Sequence, residues 1–151
     1  MPFFVKGEKI ILKKDATWVA DGVEITHEQT REVFFRSIQW DEAEGQHYLE
    51  VGYERIFIEV EDTPYFVMAL EQRGATLVAR LSNHTDEVLA ADRLTYVDGK
   101  LYLITSNGLR AKFLSAPFYD LLGNLKEDGG YYFVDINGKR ANLAAISRGR
   151  P

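Results

Sequence analysis

The sequence contains no cysteine. Disulfides, thiolate nucleophiles and cysteine-ligated metals are therefore excluded, and a reducing cytoplasm suits the chain. Proline is scarce, with four residues in 151. No apolar run approaches the roughly 20 residues that a membrane helix needs. The start, MPFFVKGEK, lacks the charged, apolar, small-residue order of a secretion signal. There is no excess of positive charge. The net charge of −5 opposes non-specific attraction to nucleic acid or anionic lipid. These absences predict a cytoplasmic protein with no membrane and no nucleic-acid partner.

What is present is a well-spread apolar content of 46%. That argues against disorder. A chain of 151 residues can bury roughly 70% of its unfolded surface without staples. The stretch 55–81 organises the reading. Ile56, Ile58 and Val60 alternate with Phe57, Glu59 and Glu61, so one strand has an aliphatic and an acidic face. Asp62-Thr63-Pro64 stops it. Residues 65–70 are apolar on both faces, turn at 71–74, and return as a partner strand at 77–81. Two adjacent hairpins in one sheet follow from this pattern.

Short strands are also expected at 3–5 and 9–12. A hairpin is expected from 17–19 to 23–25. Thr26 and Gln29 read as a capping box for a helix over 28–38, with Val33, Phe34, Ser37 and Ile38 on one face. A strand follows at 48–51. The polar run 82–87 marks a boundary. Beyond it, Asp98-Gly99 and Asn137-Gly138 are hairpin turns. Residues 109–113 alternate as a strand. Ser115 reads as the cap of a second helix, which carries Phe118, Leu121 and Leu122 inward and ends at Gly123.

Thr17-Trp18-Val19-Ala20-Asp21-Gly22 matches Thr95-Tyr96-Val97-Asp98-Gly99, and Ile25-Thr26 matches Ile104-Thr105. Chance recurrence of common hairpin words is the competing account. Read as duplication, the chain is α+β with mostly antiparallel sheets, in two hairpin–helix–hairpin units over 1–84 and 85–151.

Several of these words also carry a family resemblance. Asp15-Ala16-Thr17-Trp18, Gly22-Val23-Glu24-Ile25, the run from Ile58 through Glu59, Glu61, Asp62 and Pro64 to Tyr65, and Ser82-Asn83 resemble an uncharacterised bacterial family, domain of unknown function 1285. The resemblance covers most of the chain, and residues 59–64 are its most specific part. It implies a two-domain α+β fold with repeated motifs. For function it implies ligand binding or signal transduction, with no catalytic residues to carry over. Glu24 departs from the family's usual proline, and Ala91-Asp92-Arg93-Leu94 lacks its His-Pro pair.

The chemistry candidates are few. Glu59 and Glu61 lie about 7 Å apart along a strand and, with Asp62, suit paired acid–base work or a hard cation. A solvated strand face and a turn-forming Asp are the plainer account. His27, His47 and His84 lack the spacing that fixes a metal. His84, in a loop beside Asn83, is the best single polar candidate, with an ordinary turn role competing. No serine sits in a nucleophile elbow, and no phosphate loop is present. Trp18, Phe34, Phe35, Trp40, Phe57, Tyr65 and Phe66 read as core. Arg140, Arg148 and Arg150 are a weak basic cluster.

The leading expectation is a non-enzymatic module for a small ligand or protein partner. It needs no cofactor and no metal, and its ligand would meet Glu61, Asp62, Asn83 and His84 in a groove between the repeats. The alternative is a hydrolase or transferase using Glu59, Glu61 or Asp62, with or without a divalent metal. A homodimer formed through strand edges is a third reading.

Overall fold

A computed structural model describes residue 4 and residues 7–145. The described chain forms two compact units. Unit 1 holds the residues up to Tyr65 together with Ser82–His84; unit 2 holds Phe66–Leu81 and the residues from Thr85 onward. The hairpin over 66–81, read from sequence as part of an N-terminal half, thus has its contacts in unit 2.

In unit 1, β1 (Ile10–Leu12), β2 (Trp18–Ala20) and β3 (Val23–Glu24) form an antiparallel meander ahead of α1 (Glu28–Arg36). Then come β4 (Ile38–Asp41), β5 (Gln46–Val51), β6 (Glu54–Phe57) and β7 (Glu59–Val60). The sheet orders are β3-β2-β1-β7 and β4-β5-β6. The single strand expected across 55–61 is therefore two strands in two sheets. Ile58 is the joint: it is buried, and its N–H donates to the His47 carbonyl at 3.0 Å. The alternation of side chains survives the joint, but the pairing partner changes. β6 runs antiparallel to β5, and β7 runs parallel to β1.

The unit 1 core is built on Trp18, which is fully buried. Its ring meets Phe34 and Phe35 of α1 edge-on, at 5.2 and 5.3 Å between centroids. Edge-to-face geometry puts the positive ring edge on the negative face. Ile10, Leu12, Ile38 and Leu49 complete the packing. The capping box at Thr26 does not form. His27 is the N-cap, and its Nδ1 accepts the Thr30 N–H. The helix stops at Arg36, and Ile38 opens β4 opposite Leu49. Trp40 and Phe57, read as core, are each 44% exposed.

Unit 2 starts with β8 (Tyr65–Arg73), whose first residue is the last of unit 1's long segment, and continues with β9 (Thr76–Leu81) and β10 (Asp86–Val88). After a 3-10 turn at Ala91–Arg93 come β11 (Leu94–Val97), β12 (Lys100–Ile104), β13 (Arg110–Phe113), α2 (Ser115–Leu122), β14 (Lys126–Asp128), β15 (Tyr131–Ile136) and β16 (Lys139–Ala145). The sheets are six-stranded, β10-β9-β8-β13-β12-β11, and three-stranded, β14-β15-β16. Phe66, Val67, Ala79, Leu103, Ala111 and Val134 are among the fully buried residues. β8 is enclosed only at its start; Met68 and Ala69 are exposed. Ser115 does not cap α2. Leu114 holds that position without a side-chain bond, and Gly123 ends the helix in right-handed backbone, not the left-handed form.

The turn words behave as their chemistry demands. Asp98-Gly99 and Asn137-Gly138 have positive φ at both residues, the type I′ geometry whose twist matches a hairpin. Each helix precedes a three-stranded antiparallel sheet, β4-β5-β6 after α1 and β14-β15-β16 after α2. The fold is α+β and rich in antiparallel strands, as composition and turns imply. The strand expected over 3–5 lies outside the described residues except for Phe4, which is buried.

Candidate functional site

Glu59 and Glu61 leave β7 on the same face, and lysines meet both. The Glu59 carboxylate lies 3.3 Å from Lys9 Nζ, with 61% of its side chain exposed. Glu61 is tied more closely. Its N–H donates to the Leu12 carbonyl at 2.9 Å, and its Oε1 accepts the Lys14 N–H at 2.9 Å. Its Oε2 lies 3.9 Å from Lys13 Nζ. Glu61 therefore holds the turn between β1 and β2. In that turn Ala16 takes a φ of 73°. Hydrogen bonds from the Thr17 side chain, and then from its backbone, keep the Asp15 carboxyl below its usual range.

A general base needs a free lone pair, a donor partner and an enclosed place for substrate. Glu61 spends its oxygens on a backbone N–H and a lysine, and Glu59 faces water. Exposed pairs of this kind contribute about 0–1 kcal/mol. Asp62 is half-buried and engaged with the protein. The neighbouring Thr63 is fully buried, its hydroxyl donating to the Tyr65 carbonyl at 2.8 Å. Among the described residues, no group of three or more acidic, histidine or cysteine side chains is arranged to hold a metal.

The second pair of sequence candidates follows the β8–β9 hairpin. Ser82 is buried and Asn83 half-buried, and both are engaged. His84 sits in left-handed backbone with φ 64°, a region uncommon for a side-chain-bearing residue. Its Nε2 lies 3.7 Å from Glu32 Oε1 of α1. Glu61, Asp62, Asn83 and His84 all belong to unit 1, although a 16-residue excursion through Phe66–Leu81 separates the two pairs. Glu61 is anchored to the turn after β1, and His84 to α1.

Several polar features escaped the sequence reading. His47 is half-buried beside Trp40, at 4.7 Å between rings. Its buried Nε2 has no hydrogen-bond partner, and burial lowers its pKa from 6.5. On β8, β9 and β10, Arg73 and Arg80 each pair with both Glu71 and Asp86. Arg73 chiefly holds both carboxyls below their usual range. The adjacent-strand register, Asp86 opposite Arg80, creates that ladder, and no local motif announces it.

The cavities among the described residues include one in each unit. One, of about 260 Å³ in unit 1, is lined by Glu8, Lys9, Gln46, Phe57, Ile58 and Glu59 among others. The second, of about 210 Å³ in unit 2, lies between the β11–β12 turn, β13 and α2. Arg140, the first arginine of the weak basic cluster, lies over the Phe133 ring at 3.7 Å and pairs with Asp128 at 2.9 Å. Arg148 and Arg150 lie outside the described residues.

No family model matches the sequence, and no curated protein does. Two solved structures share the fold. A DUF1285 family protein from Silicibacter pomeroyi is 19% identical with a TM-score of 0.71, the match covering 91% of this chain and 80% of that one. A DUF1285 family protein from Shewanella baltica is 17% identical with a TM-score of 0.61, covering 79% of this chain and 94% of that one. The chain therefore has a DUF1285-type fold, in agreement with the resemblance in its letters. No helix of the described residues is long and apolar enough to cross a membrane.

Proposed function

We propose that this protein is a non-enzymatic cytoplasmic module that binds a small ligand or a protein partner in signal transduction. The contacts of Glu61, Asp62, Asn83 and His84 form the binding face. The observation supporting this is the gathering of all four into unit 1 across an intervening hairpin. His84, held in left-handed backbone at the point where the chain leaves that unit, is the residue most exposed to an incoming group. The matching hairpin words and the two helix-then-sheet arrangements belong to the same proposal, as copies of one ancestral unit. The lysine pairings of Glu59 and Glu61 favour binding over hydrolysis.

Thermal-shift screening of metabolites and nucleotides on the full chain, with pull-down of partners, tests the reading. A ligand at 100 times its Kd raises stability by about 2.7 kcal/mol. His84→Ala is expected to abolish the shift while leaving the unliganded melting temperature nearly unchanged. A silent screen together with an empty pull-down would refute the proposal. Light scattering at high concentration tests the accompanying homodimer, which a purely monomeric profile removes.

A further inference from the structure

We infer that the outer edge of β11 is the surface through which two copies of this chain pair. The inference deepens the homodimer reading above and rests on it. It is carried by the distribution of charge over the sheet edges. Among the described residues, eight strands lie at the edges of the four sheets: β3, β4, β6, β7, β10, β11, β14 and β16. Seven of them carry at least one charged side chain; β11, Leu94-Thr95-Tyr96-Val97, carries none. Charge on an edge strand is the ordinary guard against pairing with another chain. β10 and β14 show that guard. Each has a central glutamate, Glu87 or Glu127, and two-fold pairing centred there would set like charges opposite each other.

The backbone of β11 fixes how a second copy fits. Asp98-Gly99 closes a two-residue hairpin, with Val97 opposite Lys100 and Thr95 opposite Tyr102. In such a hairpin those pairs exchange hydrogen bonds, so Leu94 and Tyr96 turn their N–H and C=O groups to the outer edge. The Leu94 N–H is taken by the Ala91 carbonyl. Among the described residues no hydrogen bond reaches the Tyr96 N–H or C=O. Those two groups complement themselves under a two-fold axis, across which two copies of Tyr96 exchange both bonds. That register places Thr95 opposite Val97 of the second copy, twice, in the closer of the two antiparallel pairings. Both side chains stand on one exposed face, with Val97 45% exposed. The Tyr96 ring lies on the other face and stacks on Phe118 of α2, with 14° between planes. Tyr119, 5.5 Å from Phe118 and largely exposed, extends the apolar margin. An edge of four residues places the dimer among small, transient interfaces, below roughly 1,200 Å².

Sedimentation velocity of the full chain over a concentration series, with hydrogen exchange read at the Tyr96 amide, tests the inference. A monomer–dimer equilibrium is expected, with Tyr96 exchange slowing as the dimer forms. Thr95→Glu combined with Val97→Glu sets carboxylates opposite each other at both cross-copy positions. It should weaken dimerisation at least roughly tenfold. Within each hairpin the Val97→Glu carboxylate faces Lys100, so the melting temperature should not fall. Thr95→Lys combined with Val97→Glu sets opposite charges at the same two positions and should restore pairing. Three results each overturn β11 as the edge while leaving the homodimer reading standing: a dimer indifferent to the first double variant, one not restored by the second, or one in which Tyr96 exchanges as fast as in the monomer. A chain that stays monomeric at every concentration removes both.

Discussion

Asn137 shows how much one side chain can do at a turn. It takes a φ of 47° ahead of Gly138. Its Oδ1 accepts the Leu77 N–H at 2.7 Å, and its Nδ2 donates to the Leu77 and Leu89 carbonyls at 3.1 and 2.7 Å. Asn137→Gly preserves the turn and removes the three bonds. It should cost about 1–3 kcal/mol in urea unfolding. Asn137→Asp should cost more, because a carboxylate would face two carbonyls. His47 is the second telling residue. Burial depresses its pKa, so as pH falls below about 6.5 the unfolded chain takes up the proton first. Stability present above that pH is then lost on the way down to the folded-state pKa. His47→Phe should flatten the stability difference between pH 7.5 and pH 5 relative to the parent protein. An unchanged difference would show that other groups carry it. Neither role could be read from the letters. Asn137-Gly138 signals a turn, but Leu77 is 60 residues away; His47 resembles any polar residue at a strand start.

At the scale of elements, local chemistry was readable and partnership was not. The Asp-Gly and Asn-Gly turns, the two helices and the alternation at 109–113 follow from backbone preferences within a few residues. β4, β10 and β14 were missed because three or four residues carry too little periodicity to distinguish a strand from a loop. The run 55–61 has an unbroken period of two, yet Ile58 divides it between sheets. Periodicity specifies which face is buried and leaves the neighbour open. The cap of α1 makes the same point. Thr26 and His27 both offer acceptors, and only the backbone path selects His27. Thr26→Ala should therefore change stability by no more than about 0.5 kcal/mol. His27→Ala should cost about 0.5–1 kcal/mol, as loss of a cap does. Calorimetric melting of the two variants decides between the caps. At the candidate site, the polar residues proposed to bind stand out as letters, but the attachment of Glu61 to Lys14, 47 positions earlier, does not.

For the whole molecule, the decisive property is how the chain is divided. It leaves unit 1 after Tyr65, returns for Ser82–His84, and leaves again. A cut at 84/85 would strip β8 and β9 from the centre of the six-stranded sheet and break the pairing of Asp86 with Arg80 and Val88 with Val78. A fragment of residues 85–151 should therefore show no cooperative unfolding by circular dichroism. A fragment of residues 66–151 should recover a cooperative transition and dispersed amide resonances. Cooperative folding of the shorter fragment would show that the central hairpin is dispensable.

The excursion through β8 and β9 also matters while the protein is being made. Phe66 and Val67 leave the ribosome well before β13, the strand beside β8, which ends at Phe113. At roughly 5–20 residues per second that interval lasts about 2–10 s. Throughout it, an apolar strand edge is presented to a crowded cell. Translation speed over this span, and access of a nascent-chain chaperone to it, should govern the yield of folded protein more than equilibrium stability does.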